Sequence, residues 1–85
     1  MPKVVMYCTD VCPYCQRAER LLNRKGVKPI KLRVDGNRAN LKEMIKRTRR
    51  KTVPQIFIGD RHVGGFDDLL ELDMAGKLDT LLRNA

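Results

Sequence analysis

The chain has 85 residues, 42% of them hydrophobic and 33% charged, which suits one small folded domain, 1–85, and is too apolar for a disordered chain. No segment reaches the roughly 20 apolar residues that span a bilayer, and the amino terminus has no signal-peptide pattern, so we expect no membrane partner and a cytoplasmic location. The formal net charge of +8 favours anionic partners, without choosing among small molecules, acidic proteins and nucleic acid.

The first third of the chain predicts a strand, a helix and a second strand. Residues 4–8 are β-branched and apolar and indicate a buried strand whose alternate side chains face opposite sides. Pro13 suits the first position of a helix that ends at Lys25-Gly26, which places Cys12 at the helix N-cap. Alternating apolar residues across 30–34 indicate the second strand and complete a βαβ unit.

The middle of the chain predicts a second helix and a hairpin. Asn40 followed by Glu43 resembles a capping box, and the apolar stripe after it indicates a helix that fades near Thr48. Gly59-Asp60 interrupts the apolar pattern of 55–63 as a two-residue connection, which is typical of a tight hairpin between two strands.

The last part of the chain predicts a third helix. Asp67 and Asp68 provide an acidic helix N-terminus, Gly76 closes the helix, and a short turn around 78–82 finishes the chain. The predicted order of elements is therefore β-α-β-α-β-β-α, an α/β domain.

All three cysteines lie within CTDVCPYC at 8–15. An odd number of closely spaced cysteines does not suit a disulfide-stapled fold, whereas C-x-x-C beside a βαβ unit is typical of dithiol redox chemistry. Unpaired N–H groups and the positive end of the helix dipole favour the thiolate of Cys12. We therefore expect Cys12 to attack a disulfide and Cys15, one turn further along, to resolve the mixed disulfide.

Other uses of these residues stay open from the sequence. Cys8, Cys12, Cys15 and His62 offer four soft ligands, although a lone C-x-x-C is only half of a zinc site. Cys12 from two chains suits a shared iron–sulfur cluster. Cys8 is interpreted as a small buried residue, with pairing to Cys12 or oxidation as alternatives. The basic run at 46–51 has no interleaved aromatic residues, so no dedicated nucleic-acid site is expected.

Four motifs together resemble the dithiol glutaredoxin family: CPYC at 12–15, TVPQIFI at 52–58, GG at 64–65 and DD at 67–68. The likeness covers nearly the whole chain. It implies the thioredoxin fold, with a four-stranded mixed sheet and helices on both faces. It also implies a monomeric enzyme that uses glutathione as reductant on protein disulfides and protein–glutathione mixed disulfides, with no metal expected.

The resemblance also implies a glutathione site. Pro54 is expected to follow a cis peptide bond, Val53 to offer main-chain groups to the cysteine of glutathione, and the helix N-terminus at Asp67 to meet the γ-glutamyl end. Tyr14 is expected to be exposed beside the ligand, whereas Tyr7 is expected in the core. The expected glutathione-binding residues are Tyr14, Arg50, Thr52, Val53, Pro54, Gly65, Phe66 and Asp67.

Two positions depart from the family pattern. Thr9 stands where the family often has a lysine for the glycine carboxylate of glutathione, and Arg50 and Lys51 are the basic residues nearest TVP that offer a replacement. Arg49 stands where relatives often have a glycine that ends the second helix.

Overall fold

A computed structural model describes residues 2–83 of the chain. None of the helices in this range has the length and apolar character needed to cross a membrane. The elements in chain order are β1 (Val4–Cys8), α1 (Pro13–Arg24), β2 (Ile30–Arg33), α2 (Arg38–Thr48), β3 (Gln55–Ile58), β4 (Arg61–Gly64), α3 (Phe66–Met74) and α4 (Leu78–Arg83).

The four strands form one mixed sheet in the order β2-β1-β3-β4. β1 is parallel to β2 and antiparallel to β3, and β3 and β4 form the predicted antiparallel hairpin. The predicted α/β thioredoxin fold is thereby confirmed. Because β1 is paired on both sides, the end of this strand at Cys8 is held in place, and the chain runs from there directly into the loop before α1.

The alternation along β1 separates two apolar cores, one on each face of the sheet. Val4 and Met6 pack with α1, α3 and α4, whereas Tyr7 packs with Phe57 and with Met44 of α2. Tyr7 is fully buried, as expected from the sequence. Burying a large apolar side chain stabilises a fold by about 1.5–3 kcal/mol. Both faces therefore contribute to the stability of this small domain.

The start of α2 differs from the sequence prediction. Asn37 is the N-cap, and its side-chain oxygen accepts a hydrogen bond from the N–H of Asn40 at 3.0 Å. Asn40 therefore lies inside α2 at its third position, and the predicted capping box at Asn40 is wrong. The Glu43 carboxylate instead accepts a hydrogen bond from the Tyr7 hydroxyl at 2.8 Å.

The start of α3 lies at Phe66, with Gly65 as the N-cap, one residue before the position expected from the sequence. The Asp68 carboxylate accepts the N–H of Gly65 at 2.9 Å, so Asp68 closes the capping box of this helix. Asp67 is thereby left with its side chain exposed on the first turn. This one-residue difference decides which of the two carboxylates faces solvent.

The predicted final turn is a short helix, α4, joined to its neighbours by an ion-pair cluster. Lys25, at the C-cap of α1, lies 2.9 Å from a carboxylate oxygen of Asp73 and 3.0 Å from one of Asp79. These hydrogen bonds raise the pKa of Lys25. The cluster ties the ends of α1 and α3 to the start of α4.

The end of α2 directs the chain back toward the cysteines. Arg49 is the C-cap and adopts a left-handed conformation at φ 59°, the backbone region that favours glycine. The Thr48 hydroxyl donates to the carbonyl of Met44 at 2.8 Å and accepts the N–H of Arg50 at 3.0 Å. The left-handed residue and these hydrogen bonds set the course of residues 50–54.

Candidate active site

Cys12 occupies the N-cap of α1 as predicted. The residue is extended, with φ −145°, and its sulfur accepts a hydrogen bond from the N–H of Cys15 at 3.1 Å. Pro13 follows within the first helical positions and lacks an N–H group that would need a partner. The hydrogen bond from the Cys15 N–H and the positive end of the helix dipole both favour a negative charge on the Cys12 sulfur.

Cys15 lies on the buried side of α1 and has a different environment. Only 5% of its surface is exposed. Burial, reinforced by the side-chain hydrogen bond with Cys12, raises the pKa of the Cys15 thiol to about 12, against a smaller lowering by the main chain of Thr9. The Cys15 thiol is therefore protonated at neutral pH, whereas the main-chain N–H of the same residue donates to the sulfur of Cys12. This difference separates the roles of the two thiols.

A groove of about 180 Å³ lies beside the amino terminus of α1. All eight residues expected from the sequence to contact glutathione line it, and the Val53-Pro54 peptide bond is cis, as the family resemblance implied. Gln55 and Asp68 also line the groove and were not assigned from the sequence as glutathione-binding residues, although they lie within the TVPQIFI and DD motifs. The lining residues are Tyr14, Arg50, Thr52, Val53, Pro54, Gln55, Gly65, Phe66, Asp67 and Asp68.

The two glycines before α3 bring main chain and carboxylate into close contact. Gly64 has φ +116°, and a Cβ atom on it would overlap the Asp68 carboxylate. A Cβ atom on Gly65 would lie 3.5 Å from the carbonyl oxygen of Pro54. The absence of a side chain at Gly64 therefore lets the Asp68 carboxylate approach the main chain before α3, whereas the 3.5 Å at Gly65 is an ordinary contact. Gly65 and Pro54 border the same groove.

Two of the charged side chains at the groove, Arg50 and Asp68, form an ion pair, and the carboxylate of Asp67 is exposed. Arg50 lies 3.4 Å from the Asp68 carboxylate. Within residues 2–83, Asp67 forms no ion pair, so its carboxylate is open to a cationic group. Tyr14 is 55% exposed, as expected, and its ring centre lies 6.3 Å from that of Phe66.

The basic run at 46–51 is only partly directed at the groove. Arg47 stacks over the ring of Phe57, with its guanidinium carbon 3.7 Å from the ring centre, on the α2 face of the sheet. Lys51 does not line the groove, whereas Arg50 does. Thr9, at the position where the family often has a lysine, lines a different cavity.

That second cavity, of about 490 Å³, is lined by Cys8, Thr9, Cys12 and Cys15 among others. The groove itself is lined by Tyr14, which lies between the two cysteines of CPYC, and not by Cys12 or Cys15. Cys8 is 3% exposed, and burial raises the pKa of its thiol. This environment fits the interpretation of Cys8 as a buried residue.

The four-ligand metal set considered from the sequence is not assembled. His62 lies 2.8 Å from the side-chain oxygen of Gln55 and stacks on Phe57, with ring centres 5.0 Å apart. In the part of the chain that the structure describes, no three His, Cys, Asp or Glu side chains are arranged to hold a metal ion. The three cysteines are all free thiols.

Comparisons with known proteins agree with this geometry. The family model described as Glutaredoxin matches residues 4–63. Glutaredoxin 3 of Escherichia coli strain K12 is 54% identical over 83 residues, which cover 98% of this chain and 100% of that relative.

Two solved structures have the same fold. The crystal structure of a buckwheat glutaredoxin–glutathione complex has a TM-score of 0.86 at 30% identity, covering 95% of this chain and 76% of that one. The solution structure of glutaredoxin from Brucella melitensis has a TM-score of 0.85 at 47% identity, covering 98% and 90%. The chain therefore belongs to the glutaredoxin family, and it is a glutathione-dependent thiol–disulfide oxidoreductase.

Proposed function

We propose that this glutaredoxin reduces protein disulfides and protein–glutathione mixed disulfides, with Cys12 as nucleophile and Cys15 as resolving thiol. The observation that carries the proposal is the hydrogen bond of 3.1 Å from the Cys15 N–H to the Cys12 sulfur at the N-cap of α1. It stabilises charge on one thiol, while burial keeps the other protonated.

The reaction with a glutathionylated protein needs Cys12 alone. The Cys12 thiolate attacks the sulfur of the glutathione moiety, the disulfide bond between glutathione and the protein sulfur breaks, and the protein leaves as a thiolate that takes a proton from water. Cys12 then carries glutathione in a mixed disulfide. The thiolate of a second glutathione attacks the glutathione sulfur of that disulfide, which releases oxidised glutathione and restores the Cys12 thiolate.

The reaction with a protein disulfide uses both cysteines. Cys12 attacks one sulfur and forms a mixed disulfide with the substrate, while the other substrate sulfur leaves as a thiol after protonation. Cys15 loses its proton and attacks the Cys12 sulfur, which releases the second substrate thiol and forms the Cys12–Cys15 disulfide. The two residues lie one helical turn apart, within reach of each other on α1. Two glutathione molecules then reduce the disulfide and leave as oxidised glutathione.

The groove beside α1 holds glutathione in this proposal. Main-chain groups of Val53 pair with the glutathione cysteine, and the N–H groups of the first turn of α3 meet the γ-glutamyl carboxylate. Asp67 meets the γ-glutamyl ammonium, because its carboxylate is exposed and outside the capping box. Thr52 and Arg50 meet the glycine carboxylate in place of the absent lysine, and Tyr14, Pro54, Gly65 and Phe66 supply the walls.

The setting proposed for this activity is the cytoplasm, with residues 1–85 acting as one monomeric domain. The odd number and close spacing of the cysteines, which suit dithiol chemistry and not a disulfide-stapled secreted fold, support this setting. A colourless monomer after anaerobic purification with glutathione is expected. A brown dimer under the same conditions would contradict the monomer and favour a cluster shared between two chains.

The test compares two single substitutions. Cys15→Ser is expected to keep the removal of glutathione from a glutathionylated peptide and to lose the reduction of a protein disulfide, because only the second reaction needs a resolving thiol. Cys12→Ser is expected to lose both activities by about 10³-fold or more, as for removal of other catalytic nucleophiles. Turnover of either substrate by Cys12→Ser near the wild-type rate would reject the proposal.

A further inference from the structure

Three arginines form an exposed ridge on α1 next to the active site. Arg17, Arg20 and Arg24 are spaced so that they share one side of the helix, and all three are exposed. The opposite side of α1 is buried through residues that include Ala18 and Leu22. We call Arg17, Arg20 and Arg24 the α1 arginine ridge.

The α1 arginine ridge is not neutralised by the protein itself. Within residues 2–83 none of its members forms an ion pair, whereas Lys25, Lys31, Arg33, Arg47 and Arg50 all do. Glu19, on the same helix, is turned toward Lys31 at 3.1 Å. Three positive charges along one side of a helix, in a protein of net charge +8, create a potential that attracts an anionic partner.

A cavity runs along this ridge and shares Phe66 with the glutathione groove. The cavity has a volume of about 560 Å³ and is lined by the three arginines, Asn23 and Phe66. Phe66 also lines the glutathione groove, together with Tyr14. The guanidinium carbon of Arg17 lies 5.5 Å from the centre of the Tyr14 ring. A chain leaving the groove over these two rings therefore meets the ridge directly.

We propose that the α1 arginine ridge, with Phe66 as its apolar floor, binds an acidic segment of the protein substrate next to the cysteine being reduced. This inference rests on the proposed function and names its preferred substrates. The occupant is a polypeptide because the cavity shares Phe66 with the groove that Tyr14 lines, next to the reacting cysteines in the chain. It is acidic because the three arginines form no ion pair within residues 2–83.

The geometry also sets where the acidic residues lie in the substrate. The ridge begins five residues after Cys12 and ends twelve residues after it, which is about 7–18 Å along the helix at a rise of ~1.5 Å per residue. An extended peptide advances about 3.3 Å per residue, so the acidic residues lie about two to six positions from the substrate cysteine.

The experiment uses two glutathionylated peptides that differ only in charge. One has glutamates and the other glutamines at the third to fifth positions on both sides of a single cysteine. For the wild-type protein at low salt, kcat/KM is expected to be at least about tenfold higher for the glutamate peptide, and the ratio is expected to fall as salt rises. Equal values for the two peptides at low salt would overturn the inference.

A pair of charge-matched variants locates the effect. The triple variant Arg17→Ser, Arg20→Ser, Arg24→Ser is expected to lose most of the preference for the glutamate peptide. The control variant Arg38→Ser, Lys42→Ser, Lys46→Ser removes the same charge from exposed residues of α2 and is expected to keep the preference. A similar loss in both variants would show an effect of net charge alone and would overturn the ridge as the docking surface.

Two further measurements, turnover of a small disulfide and binding of an oligonucleotide, distinguish failure of the docking surface from failure of the proposed function. Loss of turnover by the wild-type protein on both peptides and on a small mixed disulfide of hydroxyethanethiol and glutathione would refute the proposed function itself. Normal turnover of that small disulfide with no peptide preference would refute the docking surface alone. If the triple substitution weakens binding of a single-stranded oligonucleotide but leaves the peptide preference intact, the ridge is a nucleic-acid contact and the inference is wrong.

Discussion

The two faces of the sheet both bury apolar side chains, but they have different roles in the protein. On the α1 face, the apolar core includes Cys12 and Cys15, which flank the groove residue Tyr14 in the chain. On the α2 face, the core around Tyr7 is closed by polar contacts: the Tyr7 hydroxyl donates to Glu43 at 2.8 Å and accepts from Arg47 at 3.1 Å. One face therefore combines packing with chemistry, whereas the other serves mainly stability and reaches the groove only through Val53. Substitutions on the two faces should affect different measurements.

The largest effect expected on stability is from Met44→Ala on the α2 face. Met44 is fully buried, so truncation removes apolar contacts and leaves a cavity, and we expect a loss of about 2–5 kcal/mol in the free energy of unfolding. Chemical denaturation measures this loss. Activity per folded molecule toward a glutathionylated peptide should stay within about twofold of wild type, because α2 does not bear the cysteines.

Lys42→Ala is the control for Met44→Ala, since Lys42 is exposed on the same helix and its removal should change stability by less than about 0.5 kcal/mol. If the folded Met44→Ala protein lost activity as severely as stability, the functional separation of the two faces would be wrong.

The next largest effect on stability is expected from a substitution of Gly64, the last residue of β4, which contacts the groove residue Asp68. Gly64→Ala places a Cβ atom against the Asp68 carboxylate at a positive φ, and we expect a loss of about 1–3 kcal/mol in stability. Displacing Asp68 also disturbs its hydrogen bond to the Gly65 N–H, so the KM for glutathione should rise. Thermal unfolding and steady-state kinetics measure the two effects.

Gly36→Ala is the matched control for this substitution. Gly36 has a similar backbone restriction, at φ +74°, but a Cβ atom there would meet nothing within 4 Å. It should cost about 1 kcal/mol of stability and leave the KM for glutathione unchanged. An unchanged KM in Gly64→Ala would show that the groove does not depend on this contact.

The smallest effect is a gain in stability at the end of α2. Arg49→Gly should raise the free energy of unfolding by about 0.5–1 kcal/mol, because glycine adopts the left-handed conformation without steric strain. The same replacement inside the helix, Lys46→Gly, should instead lower it by about 1 kcal/mol. A loss of stability in Arg49→Gly would mean that contacts of the Arg49 side chain outweigh the strain of its backbone.

Local signals in the sequence predicted most of the fold. Pro13 and Gly26 bracket α1, and Gly59-Asp60 marks the hairpin, because proline and glycine act through their own backbone and need no distant partner. The prediction failed at the start of α2, because Asn37 and Asn40 are both suitable N-cap residues and the helix begins after Asn37. The hydrogen bond from Tyr7 to Glu43, between residues 36 apart in the chain, gave no local signal.

The candidate site shows the same division between local and distant information. The position of Cys12 at the N-cap follows from its neighbours, and the groove residues follow from motifs that the family shares. The choice between Asp67 and Asp68 as the capping carboxylate depends on a helix start that differs by one residue, and two adjacent aspartates do not reveal it. The cavity along the α1 arginine ridge depends on Phe66, which only the folded chain brings to α1.

The most direct test of the account is the reactivity of each thiol as a function of pH. The reduced protein is treated with a small amount of iodoacetamide, and mass spectrometry of its peptides locates the label. At pH 7 the label is expected on Cys12, and labelling of Cys15 is expected to keep increasing above pH 10, since its pKa is raised to about 12. Preferential labelling of Cys15 or Cys8 at pH 7 would contradict the assignment of Cys12 as the nucleophile.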